Sequence, residues 1–353
     1  MPYGNFRNPF GLVSRMLLSG KPAAYAALFR AGVELVVTPL DMMLAKTRKF
    51  PDVTDSANTQ PLLLIVGPPR AGTTLVCQYL AQTLDVTYSS NLNSLFPRSV
   101  LFRKARSRAI EPDLTSYFGQ TAGLDKPNDA FHIWNRWLGD DRYRTKTSLS
   151  ESDAHEMKRF FATWTDHAQR PFLNKNNRNC HCLALLAEAL PQAHFVVVNR
   201  DPTAIVRSLI RARRTVQGDE ACGWGLLSQE DHAAEPLGYV RDVCEQVGNV
   251  NRLLSEQVAQ VSSTRLHHTS YEQFCESPLA LAETLNSRIQ GVALRKAASP
   301  FMPESFKASL GRPLTDDEEL LIAEYFSGSS DDDSHTQVNS AASNVVSSKG
   351  GRD

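Results

Sequence analysis

The chain has 353 residues, enough for two domains or for one decorated α/β domain. Its 38 Lys and Arg balance 38 Asp and Glu, so no overall field favours nucleic acid or an anionic membrane, and any anion site has to be local. A composition that is 42% apolar and 22% charged excludes wholesale disorder and a fibrous chain.

Residues 1–50 carry Arg7, Arg15, Lys21, Arg30, Lys46, Arg48 and Lys49 against only Glu34 and Asp41. Leu28, Val33, Val36, Val37, Leu40, Met43 and Leu44 recur near helical spacing, which predicts one or two amphipathic helices with Pro39 breaking or kinking the second. They read first as helices packed on the main domain, and second as a partner-binding helix or a weak contact with a membrane surface. Arg30, Glu34 and Asp41 interrupt the apolar stretch too often for a transmembrane span, and no uncharged signal-peptide core follows the first basic residues. The six cysteines are dispersed without CxxC pairing, so free thiols and a cytoplasmic location are expected. Residues 51–60 are polar and read as a linker.

From residue 60 to 326, short apolar runs alternate with longer helical patterns, the signature of a mostly parallel sheet built from βα units. Leu62–Val66 and Phe195–Val198 are unbroken apolar runs, as strands covered on both faces require, and Phe172–Lys175 and Leu266–Ser270 are further strands. A helix follows Thr74, and Asp201 and Pro202 stand as N-cap and first residue of another. The Ser-rich end from 327 to 353, with the run Asp331–Asp333 and no aromatic residue, is expected to be disordered.

The most informative stretch is LLLIVGPPRAGTTLV, Leu62–Val76. Gly67 and Gly72 stand in the G-x-x-x-x-G relation of a phosphate-binding loop, after a buried strand and before a helix whose free amides and positive dipole end attract an anion. Thr73 occupies the place where a nucleoside-triphosphatase loop has its Lys, while Arg70, Thr73 and Thr74 supply a guanidinium and two hydroxyls with no evident need for a metal ion. Cys180-His181-Cys182 lacks the second cluster that a metal site needs. The run Arg98, Arg103, Lys104, Arg106 and Arg108 reads as a solvated helix face before it reads as a lure for an acidic acceptor.

GPPRAGTTL, Gly67–Leu75, resembles the phosphosulfate loop of sulfotransferases that use 3′-phosphoadenosine 5′-phosphosulfate (PAPS), whose core is P-[KR]-x-G-T-T. His194–Arg213 resembles the family's 3′-phosphate segment, FLNKN at 172–176 its Lys-bearing strand, and His268–Leu285 its Tyr-Glu strand-to-helix segment. The resemblance implies a P-loop-type three-layer α/β fold and transfer of a sulfuryl group from PAPS to a hydroxyl or amine of a small-molecule, lipid or carbohydrate acceptor. It places Arg70, Ala71, Gly72, Thr73 and Thr74 on the 5′-phosphosulfate, Arg200 and Ser208 on the 3′-phosphate, Tyr271 on the nucleotide and Lys175 at the bridging oxygen. For the family's last basic loop only Lys307 and Arg312 are available.

The chain departs from the family at the general base. The position two residues after the strand Lys, a His in cytosolic sulfotransferases, is Asn177, and the loop that carries a Glu in the tyrosylprotein branch reads YSSNLNSLF, Tyr88–Phe96. Gly123–Tyr143 supplies substitutes: His132, which titrates nearest neutrality, is the first choice and Asp129 the second, with Asp125, Trp134 and Trp137 as neighbours in a catalytic lid. A P-loop nucleotide kinase and a non-catalytic PAP- or PAPS-binding protein are the rival readings.

Overall fold

A computed structural model describes residues 8–47, 60–99, 114–140, 145–296, 302–311 and 313–327. Arg103, Lys104, Arg106, Arg108, Arg312, positions 51–59 of the expected linker and the expected tail beyond Ser327 lie outside the described residues.

In chain order the elements are α1 (Pro9–Leu18), α2 (Pro22–Thr47), β1 (Leu62–Val66), α3 (Thr73–Thr83), β2 (Thr87–Tyr88), α4 (Asn91–Ser94), β3 (Ser116–Tyr117) and β4 (Gln120–Thr121). There follow α5 (Phe131–Leu138), α6 (Glu151–Ala168), β5 (Phe172–Lys175), α7 (Leu183–Ala189), β6 (Ala193–Asn199), α8 (Pro202–Ala212), α9 (Gly238–Val258), β7 (Leu266–Ser270), α10 (Tyr271–Glu276) and α11 (Pro278–Arg288). A last helix spans 316–327.

The sheet has the order β2-β5-β1-β6-β7, and every pairing in it is parallel. β1 is buried along its whole length, which is why its five residues are an unbroken apolar run. Side chains alternate across a strand, so Leu63 and Ile65 join one core with α3, α8 and α9. Leu62, Leu64 and Val66 join the other with α5, α6 and α7. Helices therefore cover both faces of a parallel sheet, a three-layer α/β arrangement.

Strand order decides where a ligand can bind. The chain leaves β1 toward β5 on one side and β6 on the other, so a crevice opens beyond their carboxyl ends at this switch point. The loop after β1, the end of β5 and the first residue after β6 all face that crevice.

Pro39 lies inside α2, which continues through it but bends by 57° between Pro22–Glu34 and Val36–Lys46. A proline ring crowds the carbonyl one turn earlier and leaves it without its amide partner, which places the bend at that point. Among the described residues, no single helix is long and apolar enough to cross a membrane.

Candidate active site

Gly72 stands at φ +89°, a left-handed conformation that turns the loop into α3, and a Cβ there would overlap the Tyr271 ring. The main chain can therefore lie flat against that ring only with glycine at 72. The first amides of α3 have no carbonyl one turn behind them and point into the crevice. Beneath the loop, the Cys180 thiol donates to the Gly67 carbonyl at 3.0 Å and its sulfur accepts the Gly67 amide at 3.1 Å. Burial pushes this thiol up to about 12, so it stays protonated and keeps its donor. Asn177 also donates to the Gly67 carbonyl, at 2.7 Å.

A cavity of about 660 Å³ lies over this loop. Arg70, Gly72, Thr73, Thr74, Arg200, Ser208, Tyr271, Lys175 and Asp129 all line it, while Ala71 is buried behind the loop. His132 is outside the lining.

The cationic end is assembled from three loops. Arg70 has φ +74°, uncommon for a residue with a Cβ, and donates from Nε to Ser208 Oγ at 2.9 Å. Its side chain thus reaches the second phosphate element, whereas the sequence pattern pairs it with the phosphosulfate. Arg200 donates to the carbonyls of Arg70, at 2.7 Å, and Ser309, and its guanidinium lies 4.2 Å from the centre of the Tyr271 ring. Tyr271 is fixed because it opens α10, whose Ser270 and Gln273 form a reciprocal capping box. Burial and the Arg200 charge lower the Arg70 pKa to about 10, which leaves it protonated at neutral pH. Among the described residues neither guanidinium has a carboxylate within ion-pair distance, so at this end of the cavity two positive charges stand without a paired anion.

At the other end Lys175, nearly buried as the last residue of β5, donates to Asp129 Oδ1 at 2.8 Å. The polar residues flanking Lys175 hold the Asp129 loop in place. Asn174 Nδ2 donates to the Asn128 carbonyl at 3.1 Å, and Asn176 Nδ2 to the Asp129 carbonyl at 2.8 Å. Trp134 Nε1 donates to Asn174 Oδ1 at 2.8 Å, which makes that indole part of the core beneath the site; Trp137 packs on Phe160 and Phe161. Asp125 is exposed and does not line the cavity.

His132 follows Phe131, a lining residue, on α5, and one residue turns a helix by about 100°. Its ring accordingly leaves the cavity wall, its Nε2 is sealed from solvent without a hydrogen-bond partner, and burial lowers its pKa to about 4, helped by the nearby Arg136 charge. The substitute base expected from the sequence is thus a neutral, enclosed imidazole, and of the two candidates the carboxylate is the one at the cavity.

Among the lining residues that the sequence motifs leave out are Phe118, Gly119, Trp224 and Ser309. Phe118, at φ +47°, and Gly119, at φ +89°, form the two-residue turn of the β3–β4 hairpin, and the Phe118 ring sits 5.3 Å from the Arg70 guanidinium and 6.1 Å from Trp224. Tyr-Phe-Gly-Gln and Gly-Trp-Gly are the signals they leave, a turn glycine and a Trp between glycines. Ser309 belongs to 302–311, while Lys307 is exposed and outside the lining.

A family model described as the sulfotransferase family matches residues 61–290. Among curated proteins, none matches the chain significantly. Solved sulfotransferases are similar at low identity. One from Mycobacterium avium is 15% identical, covering 91% of this chain and 78% of its own, with a TM-score of 0.46. One from Mycobacterium tuberculosis H37Rv is 13% identical, covering 90% of each chain, at 0.47. One from Alicyclobacillus acidocaldarius is 14% identical, covering 76% of this chain and 92% of its own, at 0.41.

Proposed function

The chain belongs to the sulfotransferase family, and from that premise we propose that it moves a sulfuryl group from PAPS onto a hydroxyl or amine of a small-molecule, lipid or carbohydrate acceptor. The observation that carries this reading is the pocket in which Arg70 and Arg200 share one end, without a carboxylate, beside the amino end of α3. An anionic nucleotide with two separate phosphate groups fits that distribution: amides and hydroxyls from Gly72 to Thr74 for the 5′ group, and Arg200, Ser208 and the Arg70 guanidinium for the 3′ group. Phe118 and Trp224 offer aromatic faces for a base.

When bound, PAPS supplies a sulfur whose bond to the 5′-phosphate oxygen breaks as the bond from the acceptor atom forms. Asp129 is the group at the cavity able to take the proton from the acceptor O–H or N–H, freeing the electron pair that attacks sulfur. Lys175 brings a fixed ammonium to the bridging oxygen that receives the departing pair. Its present pairing with Asp129 keeps both groups oriented from one strand end.

Thr73 in place of a loop Lys argues against a kinase. The six free cysteines support a reducing compartment, and we place the protein in the cytoplasm. Calorimetry with PAP and with ATP, with and without Mg²⁺, tests the nucleotide: PAP binding without metal is expected, and tight Mg²⁺-dependent ATP binding with no PAP binding overturns the donor. PAP binding without sulfate transfer to any of a panel of alcohols, phenols, sugars and lipids would leave a nucleotide-binding protein.

A further inference from the structure

A surface helix ordinarily buries its apolar stripe and shows its charges to water. The pair α1 and α2 does much of the reverse. Its polar groups fasten it to the domain: Arg15 donates to the carbonyls of Thr215 and Val216 at 2.9 and 2.7 Å, and Arg30 donates to Asn91 and Gln120. Asp41 is fully buried, accepting from the amides of Arg98 and Ser99 at 2.9 and 2.8 Å. The inward apolar contact is small, mainly Met16, Ala23 and Ala24 around Tyr117.

The large apolar side chains are left outside. On α1, Phe10, Val13 and Leu17 are exposed at spacings of one helical face, with Leu18 beside them, 83% exposed. On α2, Val36, Leu40 and Met43 repeat the pattern beyond the bend, and Phe29 is exposed before it; Phe29 is 71% and Val36 79% exposed. Exposed large apolar side chains at helical spacing on two adjoining helices are more than scattered surface residues.

We propose that this face of the α1–α2 pair docks on an anionic lipid surface, lying in the interface without crossing it. The charges select that occupant. The first fifty residues hold seven Lys or Arg against Glu34 and Asp41; among the described ones Arg15 and Arg30 are bonded to the domain and Asp41 is buried, which leaves Lys21 and Lys46 exposed against Glu34. Two copies of the chain meeting through this face would bring like charges together, whereas anionic headgroups neutralise them while the stripes enter the acyl boundary. The exposed side chains of α1 and α2 lie outside the 61–290 match and none of them lines the cavity, so the docking does not depend on the transfer reaction.

The test is co-sedimentation of the full chain with phosphatidylcholine vesicles, with and without phosphatidylglycerol. Binding to the anionic vesicles, weakened by added salt, is expected. The double variant Leu18→Ser/Phe29→Ser is expected to lose about tenfold or more in partitioning for each side chain while keeping its thermal unfolding and PAP affinity. A chain that stays in the supernatant with both vesicle types overturns the proposal. So does a folded double variant that partitions like the parent, or a parent dimer that the substitutions convert to monomer with no vesicle binding by either. If the double variant unfolds, Lys46→Glu decides: unchanged partitioning onto anionic vesicles overturns the proposal, and a loss supports it.

Discussion

The two ends of the cavity treat charge differently. At the loop end Arg70 and Arg200 face each other's fields and are held by a hydroxyl, two carbonyls and two aromatic rings, none of which neutralises them. At the β5 end Lys175 is neutralised at 2.8 Å by Asp129. An uncompensated pair of cations suits a permanent anion, which lowers the energy of the pocket as soon as it binds. A compensated pair suits charge that arises only during reaction, because a proton reaching the carboxylate releases the ammonium to act on the leaving oxygen. Affinity and turnover should therefore separate along the cavity.

The largest effect that would sharpen this division is expected at the β5 end. Asp129→Asn keeps an acceptor for Lys175 but removes the proposed base, and turnover should fall by about 10² to 10⁴ while PAP affinity moves little. Steady-state kinetics beside calorimetry with PAP measure both quantities. Full turnover in Asp129→Asn would remove Asp129 as the base and break the division at once.

At the loop end the loss should appear in binding. Arg200→Ala removes a charged group that touches the Arg70 and Ser309 carbonyls and Tyr271, and should weaken PAP by about 10- to 100-fold, the worth of one well-made charge-assisted contact. Adenosine 5′-phosphosulfate, which lacks the 3′-phosphate, should lose much less. Titration of both nucleotides against parent and variant decides it, and equal losses would show that Arg200 serves the loop conformation more than the 3′-phosphate.

The loop end was largely legible in the sequence because the physics there is local. A buried strand, two glycines at fixed spacing and a helix start lie within a dozen residues, and the Gly72 conformation follows from the turn itself. Arg200 and Ser208 stand out only through the resemblance to the family's strand-to-helix segment, and both line the cavity. What proved illegible was assembled across the chain: Arg70 reaching Ser208, Tyr271 against Gly72, the Ser309 carbonyl and the β3–β4 turn that carries Phe118. The general base shows the same limit. Asp129 and His132 are three residues apart, and only the left-handed Ala130 before α5, with Asn174 and Asn176 reaching across from β5, decides that the carboxylate faces the cavity and the imidazole does not.

The smallest effect concerns that imidazole, and it tests the division from the far side. Because His132 lies outside the cavity lining, His132→Gln should leave turnover within about two- to threefold of the parent, far short of the loss a missing base produces. Its consequence is instead one of stability. The unfolded chain takes up the His132 proton near its ordinary value of 6.5, whereas the folded chain resists until about 4 because the ring is enclosed beside Arg136. Between those values the unfolded state binds more protons, so stability is greatest above about 6.5 and falls as the pH drops toward 4. His267, also lowered to about 4 by burial and by His194, acts in the same direction, so the substitution removes part of the slope and not all of it. Urea unfolding at pH 7 and pH 5 should show the parent losing more stability than His132→Gln over that interval. Equal losses would mean that His132 is not the enclosed neutral ring described, and a collapse of turnover in a folded His132→Gln would return the base to α5 and undo the contrast between the two ends.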